Sequence, residues 1–277
     1  MTVNIDITKE LKAVEKLIKS DINKEKTILG LYNYIFKSDG KKIRSRLNLI
    51  ASSSSKNSDR YKLASIIELL HTATLVHDDV VDNASTRRGA ISVNSLWSNA
   101  HGVLIGDYIY SKAFMLMVEI GKKDILAELA DATNDISQGE LIQLDAISNI
   151  KISLNKLKKI SYFKTGRLFE ASAKTGAMLA GANKNFIKNI SESAKNIGIL
   201  FQIKDDLLDY SNSSKTGKQS FQDLKEGKVT YPFFFALKNS SQKEKKQLIS
   251  FLGNQRLNEK KALALISKLN GLIKTQQ

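Results

Sequence analysis

The chain has 277 residues, no cysteine, one proline and a formal charge of +15. That length allows one large domain with a substantial core; the missing cysteines exclude disulfides, thiolate metal sites and cysteine nucleophiles, and no apolar run reaches the roughly 20 residues of a membrane span. The charge admits nucleic acid, an anionic membrane surface or small polyanions such as diphosphates, but no RNA-binding motif or aromatic-interleaved basic strand supports the first.

Everything before Pro232 is free of the strongest helix breaker, and Leu, Ile, Ala, Lys and Glu dominate, so an all-α, single-domain bundle of about ten or more helices over 1–277 is expected. The mixed-charge start MTVNIDITKELKAVEK is not expected to be a signal peptide, and a cytoplasmic location is expected. Leu11, Val14, Leu17 and Ile18 predict a first helix from Ile7 to about Ile22. A second is predicted from about Lys24 to Phe36, ended by Lys37-Ser38-Asp39-Gly40. In KKIRSRLNLIASSSS, Lys41 and Arg44 are expected on one face at the start of a new helix, where two cations oppose the macrodipole and an anion between them would offset that penalty.

Ser58 or Asp59 is expected to cap a helix from about Arg60 to Asp82, apolar almost all round and therefore central. After Gly89 the pattern predicts a capped helix, a break near Gly102 to Gly106 and another apolar helix, with His101 and Trp97 as turn or packing residues. Helices follow at about Lys123 to Ile147, Leu154 to Leu179 and Lys184 to Tyr210. Ser211 to Lys228 is the longest non-periodic stretch, the kind of loop that carries function or is disordered. From Val229 onward a helix holding Phe233 to Phe235 and two lysine-rich amphipathic helices are expected.

Chemistry concentrates in two places. In DDVVD, Asp78, Asp79 and Asp82 project from one sector of a helix. Unit charges about 4 Å apart repel by about 4 kcal/mol at an effective dielectric near 20, so the cluster calls for a cation, most economically a divalent metal. FQIKDDLLD repeats the spacing at Asp205, Asp206 and Asp209, again in apolar helix surroundings.

With both clusters in hand, the chain resembles the trans-isoprenyl diphosphate synthases from about Gly40 to Pro232. Where that family has GGKRxRP, DDxxD, RRG, KT, a second DDxxD and GKxxGxDLxEGKxTLP, this chain reads DGKKIRS, DDVVD, RRG, KTG, DDLLD and GKQSFQDLKEGKVTYP in the same order. The resemblance implies the isoprenoid synthase fold around a central cavity, and condensation of isopentenyl diphosphate with an allylic diphosphate. Asp78, Asp79, Asp82, Asp205, Asp206 and Asp209 would hold Mg²⁺, three ions per site, on the allylic diphosphate, with Arg87, Lys164, Lys218 and Lys228 on the cationic side. Lys41, Arg44, His71 and Arg88 would take isopentenyl diphosphate without metal, the arginine forks matching phosphate oxygens better than lysine does. Backbone oxygen of Lys164 with Thr165 and Gln202 would ease a carbocation, and His77 is expected to pack or hydrogen-bond structurally.

The family sets product length one turn before the first cluster. Ala73 and Thr74 are small there, which implies a product of the octaprenyl class; the alternative is a short-chain geranylgeranyl or farnesyl synthase. A homodimer and transient membrane-surface contact for product release are also implied. A terpene cyclase would not need Lys41, Arg44, His71 and Arg88, and a non-catalytic partner subunit would have lost one aspartate cluster. Asp39, Ser45 and Phe221 depart from the family's glycine, proline and glycine, and Lys204 precedes the second aspartate pair.

Overall fold

A computed structural model describes residues 6–37, 40–211 and 220–277. The expectation of an all-α chain holds, with one short hairpin added. No helix among the described residues is long and apolar enough to cross a membrane. The chain falls into two compact units, Met1–Asn134 with Leu168–Lys195, and Asp135–Arg167 with Asn196–Gln277.

In the first unit α1 (Ile7–Ile18) and α3 (Ile43–Ala51) pack against α4 (Asp59–Val81), with α2 (Lys26–Ile35) between them in the chain. The Asp6 side chain caps α1 by accepting from the amides of Thr8 and Lys9, and Glu10 on α1 pairs with Arg60 on α4. Both early helices are shorter than the periodicity predicts; α1 ends early because Ser20 and Asp21 turn the chain, Asp21 at a positive φ of 49°. α4 buries Leu63, Ile66, Ile67, Leu69, Leu70 and Ala73 completely, which explains its apolar circumference. Ser58 stands at the N-cap position but makes no side-chain cap bond, and Asn57 accepts from the Asp59 amide instead.

β1 (Thr86–Arg87) and β2 (Ala90–Ile91) form an antiparallel hairpin, followed by α5 (Val93–Leu96) and α6 (Asn99–Ile120). α6 runs unbroken through Gly102 and Gly106, against the predicted break. These glycines serve close packing: a Cβ at 102 would stand 2.6 Å from Cγ2 of Val80, and one at 106 would run into the His77 ring. Ser98 caps α6 at its start and Gly121, at φ +65°, ends it. α7 (Lys123–Leu144), α9 (Arg167–Leu179) and α10 (Lys184–Asp209) each have residues in both units.

In the second unit α8 (Leu154–Ser161) leads into a single wide turn of π-helix, Tyr162–Gly166, where one unbroken helix was expected. Gly139 on α7 makes room for it, since a Cβ there would lie 2.8 Å from Cβ of Phe163 and 2.9 Å from the amide nitrogen of Lys164. After α11 (Gln222–Lys225) come α12 (Tyr231–Lys238), α13 (Gln242–Phe251), α14 (Glu259–Lys268) and α15 (Gly271–Gln276), one short helix beyond the two expected at the end. Their core gathers Phe233, Phe234, Leu224, Leu248 and Ile266 around Tyr210 and Phe221.

Candidate active site

Asp78 and Asp79 lie in the last turn of α4 and Asp82 is its C-cap. A helix C-terminus carries partial negative charge, so three carboxylates there oppose the macrodipole as well as one another. Asp79 is buried, 4% exposed, and burial with Asp78 and Asp82 nearby raises its pKa despite the opposing pull of Arg87. That pull is direct: Nε of Arg87 donates to Oδ1 of Asp79 at 2.5 Å. The hairpin supplies this arginine. Arg88 and Gly89 form its two-residue turn at φ +52° and +78°, the conformation that fits the twist of paired strands. Arg88 lies across Gly40, where a Cβ would stand 2.6 Å from Nη1, so the second glycine of the family motif gives the guanidinium its space.

Lys41 and Arg44 do not share a helix face as expected. Lys41 is exposed ahead of α3, because Lys42 takes a left-handed conformation at the N-cap and pairs with Glu15 at 2.6 Å. Arg44 turns inward. Its Nη1 lies 3.1 Å from Nε2 of His71, and its guanidinium stands 4.6 Å from the centroid of the Phe169 ring. Arginine only donates, so Nε2 of His71 accepts and the imidazole is neutral. Burial, then Arg44, Arg88 and Arg87, hold the His71 pKa well below its ordinary value. Burial also lowers Arg44 to about 10, opposed by the charge of Glu68. A cavity of about 100 Å³ opens beside these groups, lined by Gly40, Lys42, Glu68, Thr72, Arg87 and Arg88 among others.

One turn before Asp78, Ala73 is fully buried and the Thr74 hydroxyl donates to the carbonyl of His71 at 2.8 Å. His77 behaves as a structural residue, 3.2 Å from the Val103 carbonyl, 3.3 Å from Asp107 and stacked on Tyr110.

The second unit brings its own set together. The π-turn presents Lys164 and Thr165 to α10, which carries Gln202, Asp205, Asp206 and Asp209. Oγ1 of Thr165 donates to Oε1 of Gln202 at 2.6 Å, and Nε2 of Gln202 donates to Oδ1 of Asp206 at 2.9 Å. The Tyr231 amide donates to the other oxygen of Asp206 at 3.3 Å. Lys164 reaches Glu140 at 2.7 Å and Gln143 at 3.0 Å on α7. Wide helical turns of this kind are concentrated at functional sites, and here the turn delivers two predicted residues at once.

Asp206 and Asp209 are each pushed up to about 8 by burial and then by Asp223. Asp223 was not singled out from the sequence, although it stands in the quoted motif GKQSFQDLKEGK; its own pKa is raised by burial, against the pull of Lys228. Lys228 pairs with Glu226 at 2.6 Å, and a cavity of about 40 Å³ is lined by Lys164, Gln202, Asp206, Asp223 and Lys228 among others. Lys218 and Asp39 lie outside the described residues. Lys204 is exposed on α10.

The donor set suits magnesium. All six predicted ligands are hard carboxylate oxygens, and Oδ2 of Asp209 is buried without a partner. Among the described residues no three acidic or histidine side chains converge into a cage. An ion that keeps several waters and takes substrate phosphate oxygens needs only one or two carboxylates from the protein.

The sequence profile of the family described as polyprenyl synthetase matches residues 25–269. The chain belongs to the polyprenyl synthetase family. It is 38% identical over its whole length to the decaprenyl-diphosphate synthase of Dictyostelium discoideum, covering 61% of that protein. To the octaprenyl diphosphate synthase of Escherichia coli it is 35% identical over 85% of this chain and 74% of the relative. Among solved structures, the polyprenyl synthase of Caulobacter crescentus, complexed with calcium and isoprenyl diphosphate, is similar with a TM-score of 0.89 at 31% identity, over 98% of this chain and 83% of the other. Family membership accounts for the order of the motifs.

Proposed function

We propose that this family member is a magnesium-dependent trans-prenyltransferase that condenses isopentenyl diphosphate with an allylic diphosphate to give a polyprenyl diphosphate of the octaprenyl class. The observation that carries the reading is the pairing of two acidic clusters with separate basic groups: buried Asp79 balanced by Arg87, and Asp206 held by Gln202 next to Lys164 and Thr165. Relatives named for octaprenyl and decaprenyl products support the long chain over the short-chain alternative.

Asp78, Asp79 and Asp82 with Asp205, Asp206 and Asp209 would hold magnesium, which would supply positive charge to the allylic diphosphate. Arg87, Lys164, Lys218 and Lys228 bind the same diphosphate and stabilise it as the C1–O bond breaks and its negative charge grows. The allylic cation meets oxygens of Thr165 and Gln202 and the Lys164 carbonyl. Arg44, His71 and Arg88, with Lys41 at the rim, orient isopentenyl diphosphate so that its double bond attacks C1. A proton is then lost to the departing diphosphate. Ala73 and Thr74 leave space for the growing tail.

We also take residues 1–277 as one catalytic domain, since the family match runs across both units. A homodimer is proposed through α6, where Leu104, Met115 and Val118 form one stripe and are each about two-thirds exposed. The location proposed is cytoplasmic, with transient membrane contact when a product with so long a tail is released. The test is incorporation of labelled isopentenyl diphosphate with and without magnesium. Loss of incorporation in both Asp78→Ala and Asp205→Ala is expected, and full activity in either contradicts the reading.

A further inference from the structure

Ser45 stands where the family motif has proline, and it is fully buried. Its hydroxyl lies 3.1 Å from the Ala64 carbonyl and 2.9 Å from Oε2 of Glu68. A hydroxyl has one proton to give, and the nearer, charged carboxylate is the stronger acceptor. Glu68 is only 7% exposed, acts as a negative neighbour of Arg44, and lines the same cavity as Gly40, Arg87 and Arg88. Arg44 is held on one side by the Phe169 ring and committed through Nη1 to His71, yet its Nε is buried without a partner. An unpaired guanidinium N–H beside a carboxylate is an unstable arrangement unless something holds the carboxylate elsewhere.

We propose that Ser45 is a positioning residue for the isopentenyl diphosphate subsite: its hydroxyl tethers the Glu68 carboxylate as a through-space counter-charge to Arg44 and keeps it from closing on the guanidinium. The guanidinium then keeps its positive charge for a diphosphate in the neighbouring cavity instead of committing it to Glu68. A buried cation without a counter-charge is unfavourable, whereas a carboxylate bonded to it would compete with substrate, and the serine tether satisfies both demands. Proline at this position has no hydroxyl with which to do so. The inference rests on the prenyltransferase reading for the identity of the ligand, but not for the geometry.

The test is a double-mutant cycle between Ser45→Ala and Glu68→Gln. In Ser45→Ala the released carboxylate closes on Arg44, so the KM for isopentenyl diphosphate rises roughly tenfold, about what one charge-assisted hydrogen bond is worth. The kcat and the KM for the allylic primer stay within about twofold of wild type on the same scale. Ser45→Ala with Glu68→Gln recovers the wild-type KM, because no charge remains to compete; a packing defect at Ser45 would not be repaired by a change at Glu68. Inorganic pyrophosphate titrated calorimetrically without magnesium reads the subsite independently of turnover, with the same order expected: weaker in Ser45→Ala, restored in the double variant. Unchanged KM and pyrophosphate affinity in Ser45→Ala, or a double variant no better than the single, overturns the inference. A wild-type protein that binds pyrophosphate in this pattern but does not consume isopentenyl diphosphate refutes the proposed function and leaves the tether supported; one that binds no pyrophosphate refutes the tether.

Discussion

Arg87 returns from the β1–β2 hairpin to place its Nε 2.5 Å from Oδ1 of Asp79, at the end of the helix that precedes the hairpin. The pair neutralises the most buried of the three carboxylates in that cluster, and it does so with a side chain that is itself 36% exposed. Arg87→Gln leaves Asp79 buried without its counter-charge. Breaking such a pair is worth 3–5 kcal/mol when both partners are buried, and the exposure of Arg87 reduces the expected loss to about 1–2 kcal/mol. Magnesium with pyrophosphate should raise the melting temperature of Arg87→Gln less than that of wild type, since a cation proposed to bind the diphosphate is gone. Thermal denaturation with and without the two ligands reads both effects.

Thr165 donates to Gln202, which donates to Asp206, so the hydroxyl sets the rotamer of the amide that holds a proposed metal ligand. Thr165→Val preserves shape and removes the donor. A fall in kcat of about tenfold to a hundredfold is expected, with little change in either KM, as for other groups that act on developing charge. Steady-state kinetics with both substrates varied separates this from a binding defect.

Phe221 occupies the family's glycine position at φ +60°, the left-handed region that glycine favours, so the backbone of the pattern is kept while its residue is changed. The ring is 4% exposed and meets Tyr210 edge-on at 5.3 Å. Phe221→Gly relieves about 1 kcal/mol of backbone strain and forfeits about 3 kcal/mol or more of packing. A net loss of about 2 kcal/mol is expected in denaturant unfolding; a gain in stability would show that strain outweighs burial here.

His71 is neutral in the fold and its pKa is held well below 6.5 by burial and three arginines. In the unfolded chain it takes up a proton near pH 6.5, so below that value the unfolded state binds more protons and acid favours unfolding. Its stabilising contribution is complete above about pH 6.5 and declines by up to about 1.4 kcal/mol per unit as the pH falls toward the folded pKa. His71→Gln removes this component, and the gap between denaturation midpoints at about pH 7.5 and 5.5 should narrow relative to wild type.

Much of this was legible in the residues, and the exceptions have physical causes. Amphipathic spacing located α4 and α10 to within a residue or two, because a long buried helix leaves an unmistakable apolar pattern. Gly102 and Gly106 looked like a break because glycine disfavours helix; tertiary contact with Val80 and His77 overrides that preference. Lys41 and Arg44 satisfy helical spacing, but the left-handed Lys42 starts the helix after Lys41, and no periodicity reports the sign of φ. The π-turn at Lys164 and the partnership of Ser45 with Glu68 depend on neighbours distant in the chain. Asp223 was in plain view inside a quoted motif; its enclosure beside Asp206 and Asp209, which marks it out, belongs to the fold.

Ala73, one turn before Asp78, is fully buried, and under the proposed function a larger side chain there would block the growing tail. Ala73→Tyr is expected to shorten the product, seen as an earlier main peak on chromatography of the dephosphorylated polyprenols, with primer consumption retained.

The central claim is most directly tested by incubating the purified protein with labelled isopentenyl diphosphate, farnesyl diphosphate and magnesium and chromatographing the products. The expected result is magnesium-dependent elongation to a polyprenyl diphosphate of the octaprenyl class. A product that stops at farnesyl or geranylgeranyl length would contradict the long-chain assignment, and no incorporation at all would contradict the prenyltransferase itself.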